Sequence, residues 1–213
     1  MLQAFFWIGA LVLAATAPAR AQTELSIYGG GTLFSGASGG SSGAGSSGYT
    51  TDWGGVLGDV GGRYGARIVW WGDGGSGLGL DFDLASVLVA TTDLAPEEST
   101  TLELGEGSGR VTVNMFHRWK NRALMVPYVG AGIGLSLPQV EGDSGGASVS
   151  GYQIGGPAMQ WIAGASLPLE SNWAVFGEYK GSFAASSFDF SGGGAGRTDV
   201  FSNAINIGVT LGF

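Results

Sequence analysis

The sequence predicts an all-β protein, an eight-stranded antiparallel transmembrane β-barrel of the outer-membrane type. Three observations predict it: alternation of apolar with small or polar residues, a regular exchange of short and long connections, and an alternating strand at the C-terminus. In segment 204–213 every second residue, ending at Phe213, is apolar, and the residues between are small or polar. In a soluble sandwich the apolar face would meet a second sheet, whereas in a membrane barrel it meets lipid.

Residues 1–21 have the features of a secretory signal peptide. An apolar run over 4–15 is followed by APARA (17–21), which fits a signal-peptidase site before Gln22. The run is too short to span a bilayer as a helix. We therefore expect an exported chain whose residues 22–213 form one barrel domain in the bacterial outer membrane.

Composition narrows the classes of function. The net charge of −8 argues against nucleic acid as a partner, because nucleic-acid binding needs a basic surface. No later stretch approaches the roughly 20 consecutive apolar residues of a transmembrane helix, so a membrane span must be made of strands. With no cysteine and one histidine, a zinc site of nitrogen and sulfur ligands is nearly excluded.

The strands follow in order from the alternation, and the predicted segments are 24–34, 58–71, 77–89, 109–119, 126–137, 150–167, 173–186 and 199–213. The connections alternate in length: 72–76, 120–125 and 168–172 are short, and 35–57, 90–108, 138–149 and 187–198 are at least twice as long. Tight periplasmic turns and long outer loops alternate in this way in outer-membrane barrels. Both chain ends then lie in the periplasm.

Aromatic residues gather near the predicted periplasmic strand ends. They are Trp70, Trp71, Trp119, Trp173 and Phe213. Such a girdle marks the membrane interface. His117 alternates with Met115 and Trp119, so we expect it in this girdle rather than as the base of a hydrolase. The strand that ends at Phe213 is expected to be the part recognised by the barrel-assembly machinery.

Strand parity turns a set of charged side chains toward the lumen. They are Arg63, Arg67, Asp81, Asp83, Arg110, Arg118, Glu178 and Lys180. The short turn at 72–76 places position 67 opposite position 81, which predicts a cross-strand ion pair. In one interpretation these are paired ions that fill a narrow barrel. In the other, Asp81, Asp83 and Glu178 form an oxygen-rich site for a hard cation, or act as acid and base.

The predicted outer loops differ sharply in composition. Segment 35–57 is rich in glycine and serine, which predicts a flexible low-complexity loop. Segment 91–109 carries five acidic residues and no basic residue before Arg110. Such an acidic rim could recruit the divalent cations that surround lipopolysaccharide phosphates, although a run of charge is more often only a solvated face.

Several segments resemble the lipid A oxidase family of rhizobial-type outer membranes. They are ELSIYGG (24–30), GARIVWW (65–71), LGLDFD (78–83), VTVNMFHRW (111–119), PYVGAGIGLSLPQVE (127–141), GGPA (155–158) and VFGEYKGSF (175–183). The resemblance implies oxygen-dependent oxidation of the proximal glucosamine of lipid A to 2-aminogluconate, with molecular oxygen as co-substrate and hydrogen peroxide as co-product. The implied substrate is lipid A that already lacks its 1-phosphate, in the lipopolysaccharide of the outer membrane.

No motif of that family assigns catalytic roles to these residues, so Asp81, Asp83, Glu178 and Tyr179 are candidates from this sequence alone. An oxidase without an organic-cofactor fold is expected to need a bound divalent or redox metal. The alternative is a non-enzymatic surface barrel of the OmpA-like or porin-like kind, with a structural or adhesive role.

Overall fold

The computed structural model describes residues 22–35, 37–42, 48–51, 61–85, 102–103, 108–119, 124–144, 147–152, 154–169, 172–189 and 195–213. The predicted signal peptide and most of the acidic segment 91–109 lie outside these residues. No helix in the described part of the chain is long and apolar enough to cross a membrane.

The described residues contain twelve strands, numbered in chain order. They are β1 Gln22–Ser35, β2 Ala37–Ser42, β3 Gly48–Thr51, β4 Gly61–Trp71, β5 Ser76–Ala85, β6 Leu102–Glu103, β7 Ser108–Arg118, β8 Val126–Ser144, β9 Ala147–Tyr152, β10 Gly156–Pro168, β11 Trp173–Asp189 and β12 Ala195–Gly212. Eight of them pair antiparallel in the order β1-β4-β5-β7-β8-β10-β11-β12, and β12 pairs back with β1. The predicted eight-stranded antiparallel barrel is confirmed.

The turn between β4 and β5 fixes the register of that hairpin. Gly72 donates its N–H to the carbonyl of Ser76 at 2.8 Å, and Gly75 adopts a φ of +80°, which suits glycine because it has no Cβ. Arg67 therefore lies opposite Asp81, as the sequence predicts. A register shift of one residue would turn every side chain of the hairpin to the other face.

The outer connections contain more strand than the sequence predicts. The predicted loop 138–149 is mostly strand, because β8 continues to Ser144 and forms a hairpin with β9. The predicted strand 150–167 is correspondingly two strands, since β10 begins at Gly156. Within segment 35–57, β2 and β3 form another hairpin that extends the sheet beside β12. These parts escape a search for alternation because strands beyond the membrane need no apolar face.

The barrel carries its apolar side chains outside and its polar side chains inside. Met115, Ile133 and Ile207 are 75%, 73% and 72% exposed, whereas Asn114 and Lys180 are fully buried. A soluble protein has the reverse arrangement. An apolar exterior around a polar lumen is the arrangement of a membrane-spanning barrel of the outer-membrane type.

The predicted aromatic girdle is wrong for one of its members. Trp119, Trp173 and Phe213 are exposed on the outer face, and His117 contacts Trp119 edge to face at 4.8 Å between ring centroids. Trp71 instead lies in the lumen and is only 5% exposed. The reason is strand geometry: Trp70 and Trp71 are consecutive, so they cannot both face lipid.

Gly134, an inward glycine of β8, lets the backbone of the neighbouring strand β7 approach closely. A Cβ at Gly134 would overlap the carbonyl oxygen of Val111 and the Cα of Thr112, and backbone atoms cannot turn aside. We expect Gly134→Ala to lower the free energy of unfolding by about 1–3 kcal/mol. Urea unfolding of the barrel in lipid vesicles, followed by tryptophan fluorescence, measures this.

Gly177→Ala is the matched control, since a Cβ at Gly177 would meet no atom within 4 Å. It should change the free energy of unfolding by about 0.5 kcal/mol or less. Equal losses in the two variants would show that the overlap at Gly134 is relieved by strand movement.

Candidate functional site

A buried ion network crosses the middle of the lumen. The Arg67 guanidinium donates from Nε to Asp81 at 2.7 Å and, from its two terminal nitrogens, to both oxygens of Glu178 at 2.8 and 2.9 Å. The Lys180 ammonium lies 3.1 Å from each Asp81 oxygen. These four side chains come from β4, β5 and β11, so the network joins strands on different sides of the barrel.

Two tyrosines complete the hydrogen bonds of these carboxylates. Tyr28 donates its hydroxyl hydrogen to Asp81 at 2.6 Å and accepts a hydrogen bond from Lys180 at 2.5 Å. Tyr128 donates to Glu178 at 2.8 Å. Neither tyrosine was predicted from the sequence, although Tyr28 alternates with the inward Ser26 and could have been placed by the same parity.

A second layer lies toward the outer end of the lumen. Arg110 donates to Asp83 from Nη2 at 2.8 Å and from Nε at 3.1 Å, and it also donates to Ser182. Ser182 shares a hydrogen bond of 2.6 Å with Ser202. Arg63 donates from Nη2 to Ser202 at 2.8 Å. We call the seven charged side chains of both layers the lumen core: Arg63, Arg67, Asp81, Asp83, Arg110, Glu178 and Lys180.

Aromatic rings surround Arg67 on the periplasmic side of the lumen core. The guanidinium carbon lies 5.3 Å from the Tyr28 ring centroid, 5.2 Å from Phe116 and 6.0 Å from Phe176. Tyr28 and Tyr128 each contact Phe176 edge to face. Cation–π contacts of this kind favour a desolvated arginine, so the rings support the charge that they bury.

A cavity of about 610 Å³ occupies the periplasmic half of the lumen, and we call it the vestibule. At its mouth Arg118 pairs with Glu24 at 2.6 Å and stacks on Trp71, whose indole N–H also donates to Glu24 at 2.8 Å. Arg67 and Phe176 line its inner end. Above it the seven residues of the lumen core are at most 5% exposed. Within the described part of the chain the vestibule therefore ends at a packed layer.

The structure brings together three of the four candidate catalytic residues. Asp81, Asp83 and Glu178 lie in the lumen core, each paired with at least one cation. Tyr179 lies on the opposite, outward face of β11, where it is 37% exposed and donates to Asn203. The eight charged residues predicted to point inward all lie in the lumen, and Arg118 is the one at the vestibule mouth.

A divalent metal does not fit this set of carboxylates. Their oxygens already accept hydrogen bonds from Arg67, Arg110 and Lys180, and a cation would have to displace those groups. In the described part of the chain no group of three or more His, Cys, Asp or Glu side chains could hold a metal ion. The acidic side chains of segment 91–109 lie outside that part.

Comparison with solved structures identifies the architecture. Neisserial surface protein A (NspA) is 13% identical, with a TM-score of 0.53 over 90% of this chain and 97% of that one. The outer membrane protein OprG from Pseudomonas aeruginosa is 13% identical, with a TM-score of 0.57 over 89% and 95%. The chain has the fold of the small outer-membrane β-barrels. At such low identity the likeness concerns the fold alone.

No family model matches the chain, and no curated protein matches it by sequence. Membership of the lipid A oxidase family therefore stays a prediction. Catalytic roles for Asp81, Asp83, Glu178 and Tyr179 stay predictions as well.

Proposed function

We propose that this outer-membrane barrel acts on lipid A at its outer end, as an oxidase of the proximal glucosamine. The observation that carries the location is the packed lumen core, which leaves no open path through the described part of the lumen. The outer strand ends of such a barrel lie at the level of the outer-leaflet saccharides. The choice of lipid A oxidation rests on the resemblance of the strand segments to that family.

The proposed reaction balances with oxygen as the only oxidant. On lipid A without a 1-phosphate, the C1 hemiacetal loses two electrons and two protons to molecular oxygen, which gives a lactone and hydrogen peroxide. Water then opens the lactone to the 2-aminogluconate acid. The lipid gains one oxygen atom overall.

One observation favours a second candidate, a non-enzymatic surface barrel. The carboxylates of Asp81, Asp83 and Glu178 are buried and paired with cations, as expected for side chains that hold a barrel together. In that state they are not free to exchange protons with a substrate. An oxidase would then depend on residues of the outer connections.

Mass spectrometry of lipid A distinguishes the two functions. The gene is expressed in a bacterium whose lipid A lacks the 1-phosphate and which has no such oxidase, with and without aeration. A gain of one oxygen on the proximal sugar, only with the gene and only with air, supports the oxidase. An unchanged spectrum, with the barrel folded in the outer membrane by its heat-dependent gel mobility, supports the surface barrel.

The Glu178→Gln variant then tests the lumen carboxylate. Full oxidation by this variant assigns Glu178 to packing alone. Loss of oxidation in a barrel that still folds assigns it a part in the chemistry. A variant that fails to fold is replaced by Tyr128→Phe, which removes one hydrogen bond to Glu178 and keeps every charge.

A further inference from the structure

The lumen core holds one more positive charge than its described acids can neutralise. Four cations, Arg63, Arg67, Arg110 and Lys180, face three carboxylates, Asp81, Asp83 and Glu178. All seven residues are at most 5% exposed. Three of the cations pair with these carboxylates, and Arg63 forms no ion pair with a described residue.

Arg63 is the cation without such a pair. It is 2% exposed, and among the described residues its side chain donates one hydrogen bond, from Nη2 to Ser202. Its Nε and Nη1 have no hydrogen-bond partner among the described residues. A buried guanidinium without a carboxylate at ion-pair distance is unfavourable, so a charged arginine held here favours an anion beside it.

Arg63 lies near the outer end of the barrel. It is two residues along β4 from Gly61, the first residue of that strand. The hydroxyl of Thr32, on the adjacent β1, is also fully buried and without a partner among the described residues. Thr32 lies opposite Gly61 in the register. Two groups that can donate hydrogen bonds are thus left over on adjacent strands, offset by two residues in the register.

The described acid closest along β12 does not enter this part of the lumen. Asp199 lies three residues before the inward Ser202, and the parity of β12 turns it outward. The other cation of this layer, Arg110, is already bound to Asp83 and Ser182. Arg63 is therefore the cation of this layer without a described carboxylate at ion-pair distance.

We propose that Arg63, with the Thr32 hydroxyl, binds an oxyanion of the phosphate class at the outer end of the lumen. Guanidinium groups bind phosphate oxygens through charge-assisted hydrogen bonds, and phosphate supplies several acceptors. The anion comes either from a lipid headgroup or from free phosphate. The proposal rests on the count of cations and carboxylates in the lumen core and does not require the oxidase chemistry.

Unfolding in urea tests this with the full barrel folded in phosphatidylcholine vesicles. Inorganic phosphate is added at constant ionic strength, with chloride as the replaced anion. A ligand that binds only the folded state raises the unfolding midpoint with the logarithm of its concentration above its dissociation constant. We expect that saturable rise for the wild-type barrel and none for Arg63→Gln.

The matched control is Arg118→Gln, which removes an arginine at the opposite end of the lumen and should keep the response to phosphate. A second arm adds lipid A with its phosphates, or enzymatically dephosphorylated lipid A, to the vesicles. A response to phosphorylated lipid A but not to inorganic phosphate identifies a headgroup as the ligand. A response to inorganic phosphate identifies a site for the free ion.

A carboxylate of an outer connection could instead neutralise Arg63, and the same experiment detects it. Arg63→Gln would then be less stable than wild type in phosphate-free buffer, and neither phosphate nor phosphorylated lipid A would move the wild-type midpoint. That result overturns the inference. The lipid A mass spectrum is independent of it, so failure of the oxidase and failure of the anion site are separate outcomes.

Discussion

Replacing Asp81 by Asn is expected to lower the free energy of unfolding by about 3–5 kcal/mol. Asp81 accepts hydrogen bonds from Arg67, Lys180 and Tyr28, and it is 1% exposed. The variant removes an anion from a lumen core that already has an excess of cations. Urea unfolding in lipid vesicles, followed by tryptophan fluorescence, gives the loss directly.

Lys180→Met is the control that tests this explanation. It removes a cation, so the core keeps three cations and three carboxylates, and Asp81 and Asp83 retain Arg67 and Arg110 as partners. We therefore expect a smaller loss than in Asp81→Asn. The double variant should show a coupling of about 0.5–3 kcal/mol, because the two side chains share one network. A larger loss in Lys180→Met than in Asp81→Asn would contradict the explanation that the lumen core has an excess of positive charge.

Arg67→Met is expected to destabilise the barrel by a similar amount, about 3–5 kcal/mol. Among the described residues Arg67 is the cation that pairs with Glu178, and without it the carboxylate keeps only its hydrogen bonds to Tyr128 and Asn206. The substitution also takes the positive charge away from the aromatic rings around it. The same unfolding measurement applies.

Arg118→Met provides the comparison for Arg67, since it removes the same functional group from a more accessible pair. The Arg118 and Glu24 side chains are 10% and 18% exposed at the vestibule mouth. We expect a loss of about 1 kcal/mol or less there, because solvent reduces the energy of such a pair. Equal losses in the two variants would mean that burial does not determine how much the central network contributes to the free energy of unfolding.

The sequence predicted the parts of this molecule that depend on strand parity and on a local turn. Alternation placed Arg67, Asp81 and Lys180 inside, and the short turn between β4 and β5 set the register that joins Arg67 to Asp81. Both are local properties, because side chains alternate along any strand and a tight turn fixes which residues face each other.

The contacts across the lumen could not be predicted in the same way. Arg67 on β4 meets Glu178 on β11, and Lys180 reaches Asp83 on β5. These pairs depend on the tilt and stagger of the closed barrel, which no single hairpin determines. The girdle prediction failed at Trp71 because residues were grouped by height along the barrel and not also by the face that they occupy.

A charged, packed core closes the lumen, and single-channel recording in planar lipid bilayers tests this closure. The purified wild-type barrel, inserted in folded form as judged by heat-dependent gel mobility, should give no discrete conductance steps above the bare membrane. A barrel of known conductance inserted by the same procedure confirms that steps would be detected. Reproducible steps from the wild-type protein would show an open path past Arg67 and Lys180, and the lumen would then not be closed.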